Sequence, residues 1–247
     1  MCIIATKPKG IFISKETAKN CFDNNPDGAG FMFSNDDRLF IRKGFFDFNR
    51  FWASYTQAMI KYDNQTSILH FRITTHGLTD KSNCHPFRVN DNLGFAHNGV
   101  IHFVDTHKKR SDTSMFNKTI LRRLPPYFYK NDSILQLIAE SIGTNSKLSF
   151  LDNKGDYVIV NESAGNWKED IWYSNDTYES CSIGYGGYGG YGGYGYTYFP
   201  INKKKKKNKK IHSGVVRFEC QSCNKKLTTI YEQNNGLCGT CDYEYTL

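Results

Sequence analysis

Short runs of apolar residues, separated by polar turn clusters, occupy most of the first 175 positions. Residues 2–5, 30–33, 39–41, 67–72 and 93–97 are rich in β-branched or aromatic side chains and predict strands, as do 148–151 and 157–160. Over 49–61, 113–124 and 133–142 the apolar positions recur three or four apart, which keeps them on one face of a helix. Pro125-Pro126 ends the second of these, because proline lacks the N–H and pushes the residue before it out of helical conformation. The clusters at 23–28 and 152–155 concentrate Asn, Asp and Gly and predict turns. Interleaved strands and helices of this kind predict a mixed α and β domain.

The pattern changes abruptly after about residue 182. Residues 184–196 form a Gly-Tyr repeat, and Lys203 to Lys207 with Lys209 and Lys210 follow it. Neither stretch has the apolar content to offset the entropy of an ordered chain, so 179–214 reads as a flexible linker. Tyrosine-rich cationic tracts also stack on nucleobases or self-associate, which leaves a second reading for this segment. The tail, 215–247, holds Cys220-x-x-Cys223 and Cys238-x-x-Cys241. Two such knuckles supply the four soft ligands that tetrahedral zinc takes, and the tail is expected to be a zinc ribbon with Cys220, Cys223, Cys238 and Cys241 on a structural Zn. A segment this short folds poorly without its metal. The domain expectation is therefore 2–178, a linker over 179–214 and a small domain over 215–247.

Charge and cysteine usage narrow the picture. The net charge of the 247 residues is +8, but seven lysines of the linker account for nearly all of it, so the remainder is close to neutral. That is a basic segment, not a basic folded face. No apolar stretch approaches 18 residues and no basic-then-apolar leader is present, so neither a membrane partner nor secretion is expected, and the location reads as cytoplasmic. Four of the eight cysteines fall in the tail pairs and the rest, Cys2, Cys21, Cys84 and Cys181, are scattered, which fits a reducing compartment.

Candidate chemistry begins at the second residue. Removal of Met1 leaves Cys2 with both a thiol and a free α-amino group, a nucleophile and a base on one residue. A cysteine there is equally what a buried first strand contains. Four clusters follow it: His70 to Gly77, Asn83-Cys84-His85-Pro86-Phe87, Phe95 to Ile101, and Ser111-Asp112-Thr113. Singly, each has an ordinary account. Arg72 could be a surface charge, Asn98-Gly99 a hairpin turn, Ser111-Asp112-Thr113 a helix cap, and His85-Pro86 a loop. Their order behind an N-terminal cysteine is what chance explains poorly.

In that order the chain resembles the class II glutamine amidotransferases, whose glutaminase domain is an N-terminal-nucleophile hydrolase. The resemblance rests on Cys2, Arg72-x-x-Thr75-His76-Gly77, Asn83-x-His85-Pro86, His97-Asn98-Gly99 and Ser111-Asp112-Thr113, with Asn25-Pro26-Asp27-Gly28-x-Gly30 and Ile171 to Asn175 also similar. It covers about 2–178 and implies an α+β fold, a four-layer αββα sandwich with Cys2 at the end of a central strand. It further implies a Cys2 thioester with the α-amine as base, and an oxyanion hole from the Asn98 side-chain amide and the Gly99 N–H. Arg72 would pair with the glutamine α-carboxylate and Asp112 with its ammonium, with Thr75, His76 and Gly77 shaping the pocket. His85 and His97 read as packed or hydrogen-bonding partners. L-glutamine is then the substrate, and no cofactor is required for amide hydrolysis.

Two departures matter. Position 73 is Ile where the sugar-phosphate aminotransferase members have Trp, which argues against that subgroup. The residues after Asn175 are too few for a synthetase, transferase or isomerase domain, so a separate ammonia-acceptor enzyme is expected, or none. A rival reading keeps the hydrolase fold as an inert scaffold and gives the function to the tail, as a nucleic-acid or protein-binding module beside the lysine run. Against it, 215–247 carries Arg217, Lys225 and Lys226 but also Glu219, Glu232, Asp242 and Glu244, and so presents no basic face. A third is an amidase of the same nucleophile type acting on another amide.

Overall fold

The computed structural model describes residues 2–74, 77–105 and 108–179. The Gly-Tyr and lysine tract and the four tail cysteines lie outside them, as do Thr75 and His76. Strands β1 (Ile3–Lys7), β2 (Ala29–Asn35), β3 (Arg38–Phe45), β4 (Ser67–Phe71), β9 (Asn166–Lys168) and β10 (Ile171–Tyr173) make one sheet in the order β3-β2-β4-β1-β10-β9. Strands β5 (Phe87–Asn90), β6 (Leu93–Asn98), β7 (Lys147–Asp152) and β8 (Tyr157–Val160) make the other, in chain order. All pairings are antiparallel.

Three apolar clusters define the layers. Helices α1 (Lys15–Asn24) and α2 (Phe48–Lys61) cover one face of the first sheet, where Phe51, Trp52 and Tyr55 of α2 meet Ile3, Ala5, Phe31, Phe33 and Phe71. Between the sheets lie Ile4, Met32, Ile68, Ala96, Leu151 and Trp172. Helices α3 (Asp112–Thr119) and α4 (Asp132–Ile142) cover the second sheet, with Phe116 and Ile138 against Phe95, Leu148 and Phe150. This is an α, β, β, α stack, compatible with the sandwich that the sequence resemblance implies. Strand β1 is buried on both faces: Ile3 and Ala5 enter the helix side, while Ile4 enters the layer between sheets. In that same layer Thr6 Oγ1 meets Ser149 Oγ at 2.8 Å, so each hydroxyl satisfies the other.

Local chemistry sets the helix ends. Asp47 caps α2 by accepting from Arg50 N at 2.9 Å, and Phe48, Phe51, Trp52, Tyr55 and Met59 then repeat along one buried stripe. Full burial of such a side chain is worth about 1.5–3 kcal/mol. The expected helix over 113–124 is shorter: α3 ends at Thr119 and the chain tightens into a 3-10 turn, Leu121–Arg123, before the prolines. Helix α1 had no clear periodicity because only Ala18, Cys21 and Phe22 of its ten residues are buried. The strands β9 and β10, of three residues each, carry too few residues to show alternation.

Candidate active site

Cys2 precedes the central strand β1, which is flanked by β4 and β10. Pairing of Ile3 with Phe71 sets Cys2 beside the segment that leaves β4, and the Cys2 sulfur lies 3.4 Å from both Ile73 N and Ile73 O. The Ile73 N–H donates to sulfur, and the thiol can donate to the carbonyl. From the other side, the Asn175 side-chain amide donates to Cys2 O at 2.7 Å, and Ser174 brackets Ile4, donating to its carbonyl and accepting its N–H. The backbone at Cys2 is therefore fixed by the segments that leave β4 and β10. Burial pushes the Cys2 thiol up, with the Ile73 hydrogen bond and the Arg72 charge pulling the other way. A raised thiol needs a base to become a nucleophile.

Cys2, Arg72, Gly99 and Asp112 line one cleft together with Ile73, His85, His97, Ser111 and Thr113. Arg72 is buried, and its Nη1 donates to Leu78 O at 3.0 Å. Its own backbone is locked to the turn before β2: Arg72 N donates to Gly28 O, Asp27 N donates to Arg72 O, and Thr74 N donates to Asp27 Oδ2. Asp112 opens α3 behind its cap, Ser111, whose hydroxyl accepts from Ser114 N. The carboxylate accepts from Ile101 N at 2.7 Å. Gly77 lies against the Arg110–Ser111 backbone, where a Cβ would come within 2.9 Å of Ser111 N. The cleft holds about 20 Å³, roughly the room of one water.

Asn98 ends β6 beneath this cleft, and Gly99 follows at φ 141°. Asn98-Gly99 is therefore not the hairpin turn that the dipeptide alone suggests, since β6 pairs onward with β7 almost fifty residues later. Asn98 is fully buried; its Nδ2 donates to Ser174 Oγ at 2.9 Å and its Oδ1 has no partner among the described residues. A Cβ on Gly99 would fall 2.7 Å from Ser146 Cα, and L side chains rarely adopt that φ, so the position requires glycine.

Three buried histidines cluster here, of which His85 and His97 line the cleft. His70 Nε2 meets His97 O at 3.0 Å, His97 N donates to His85 Nδ1 at 3.2 Å, and His97 Nδ1 meets Thr113 Oγ1 at 2.8 Å. The His70 and His85 rings lie 4.1 Å apart. Desolvation holds all three neutral, lowering His70 to about 3 and His85 well below its usual value, and His97 to about 4 although Asp112 pulls it up. Ser174 and Asn175 were visible only as part of the similar Ile171 to Asn175 stretch, with no role attached. Their role depends on β10 lying beside β1, a pairing 170 residues apart. Among the described residues no group of three or more His, Cys, Asp or Glu could hold a metal ion. Nor is any of their helices long and apolar enough to cross a membrane.

No protein-family model matches the chain, and no curated protein does. Among solved structures the chain is similar to a glutamine phosphoribosylpyrophosphate amidotransferase from B. subtilis, complexed with ADP and GMP, with a TM-score of 0.45 and 14% identity. The match covers 70% of this chain and 41% of that one, so the described fold spans less than half of the solved protein.

Proposed function

We propose that the protein hydrolyses the side-chain amide of glutamine, in the manner of the class II amidotransferases, through a Cys2 thioester. The observation that carries this reading is that Cys2, at the head of the central strand, shares one cleft with Arg72, Gly99 and Asp112. In this reading Met1 is removed, and the α-amine of Cys2 takes the thiol proton. The sulfur attacks the amide carbon, and the amine returns the proton to the departing nitrogen, which leaves as ammonia. Water, deprotonated by the same amine, then attacks the thioester and releases glutamate with the thiol restored.

The oxyanion of each tetrahedral intermediate falls to Asn98 and the Gly99 N–H. An amide turned by 180° would let the Ser174 hydroxyl donate to Asn98 Oδ1 and leave Nδ2 as an unspent donor, which is what an oxyanion site requires. Arg72 and Asp112 take the carboxylate and the ammonium of the amino acid, and together they favour free glutamine over a protein side chain. Zinc on Cys220, Cys223, Cys238 and Cys241 is carried by their spacing alone.

The experiment is glutamate release from glutamine by protein whose processed N-terminus is verified by intact mass, against a Cys2→Ala variant. The expected result is turnover that vanishes in the variant and in protein retaining Met1, because the base is then an amide. Equal rates in all three would sink the assignment.

A further inference from the structure

Strand β3 is an edge strand of the first sheet, and an open groove of about 740 Å³ wraps its end. Four cations line it, Arg42 and Lys43 on β3, Arg50 on α2 and Lys81 on the loop before β5. Its one acid, Asp47, spends an oxygen on capping α2. None of the four cations has a carboxylate within ion-pair distance among the described residues. Arg42 reaches only Ser54, through its hydroxyl and carbonyl. Lys43 Nζ sits 4.1 Å above the Phe87 ring and donates to Cys84 O at 2.8 Å, and burial lowers it to about 8. Arg42 and Lys43 are thus held on opposite faces of β3, toward α2 and toward Cys84, which leaves Arg50 and Lys81 as the exposed charges of the groove. The apolar wall is Phe45 with Phe46, which stands 50% exposed.

We infer that this groove binds a small organic phosphate, its anion against Arg50 and Lys81 and its apolar or planar part against Phe46. The volume suits a small molecule. The lysine-rich linker of the chain itself is excluded by like charge. The groove shares a loop with the Cys2 cleft. Lys81 packs on Gly44, Asn83 Nδ2 and Arg72 Nη1 both donate to Leu78 O, and Asn83 Oδ1 accepts from Ser111 N at the cap that precedes Asp112. Binding at the groove does not depend on the reaction assigned to Cys2, so the two readings fail separately.

Phenyl phosphate, which joins a ring to a dianion, is the probe, titrated calorimetrically into full-length protein at about 0.15 M salt. The Arg50→Glu/Lys81→Glu variant changes two exposed residues and should retain the wild-type urea midpoint. It is compared with Lys15→Glu/Lys154→Glu, of equal net charge. The expected result is binding that weakens at least ~10-fold in the groove variant and stays unchanged in the control. Phe46→Ser should weaken phenyl phosphate while leaving inorganic phosphate unaffected. Absence of binding by the wild type, or equal weakening in both double variants, would overturn the site. So would binding of a single-stranded oligonucleotide, but not phenyl phosphate, that depends on Arg50 and Lys81.

Discussion

Lowering the pH from 7 to 5 should remove several kcal/mol of the stability of this domain, and the buried histidines set the size of the loss. His70, His85 and His97 are fully desolvated, with His70 lowered to about 3, His97 to about 4 and His85 well below its usual value. A folded pKa below the unfolded one means that stability is whole above the unfolded value of about 6.5. It drains as the pH falls toward the folded values, because the unfolded chain takes up protons that the folded chain refuses. Between pH 7 and 5 His70 and His97 each cost about 2 kcal/mol, and His85 adds to the loss in the same direction, against about 5–15 kcal/mol for a whole domain. Ordinary carboxylates, with pKa near ~4, change little over this range. Urea unfolding at pH 7, 6 and 5 reads the loss directly. His70→Gln, whose amide can still donate to His97 O, should cut it by ~2 kcal/mol. A total loss below ~2 kcal/mol, or a His70→Gln variant with an unchanged pH slope, would refute the reasoning.

Gly99→Ala places a Cβ against Ser146 at an unfavourable φ, so it should cost ~2–4 kcal/mol in urea unfolding and abolish glutamate release; unchanged stability would show that the backbone yields there. Asp112→Asn keeps an acceptor for Ile101 N but loses the charge. Its KM for glutamine should rise ~10- to 100-fold, the value of a hydrogen bond to a charged group, with the urea midpoint nearly unchanged; an unaltered KM would remove Asp112 from the ammonium site.

Much of the element order was legible in the chain because its signals are local. The stripe Phe48, Phe51, Trp52, Tyr55 and Met59 announces α2, and Ser111 caps α3 through a contact three residues away. Helix α1 was not legible, since a mostly polar helix owes its place to Ala18, Cys21 and Phe22 packing on a sheet formed elsewhere. Asn98-Gly99 misleads for a related reason: the dipeptide favours a tight turn, but the partner of β6 is β7, and only tertiary packing against Ser146 explains the glycine.

The candidate site divides along the same line. By itself the sequence determined which residue types are available and in what order: a thiol at position 2, then Arg72, Asn98-Gly99 and Asp112. Only the tertiary structure decided that four of these five, Cys2, Arg72, Gly99 and Asp112, line one cleft, that Asn98 leans on Ser174, and that Lys43 and Lys81 meet Arg42 and Arg50 around a groove. The physical reason is separation. Capping and amphipathic spacing act over three or four residues, whereas the β1–β4 and β1–β10 ladders join positions about 70 and 170 apart, whose proximity depends on burying both faces of β1 at once.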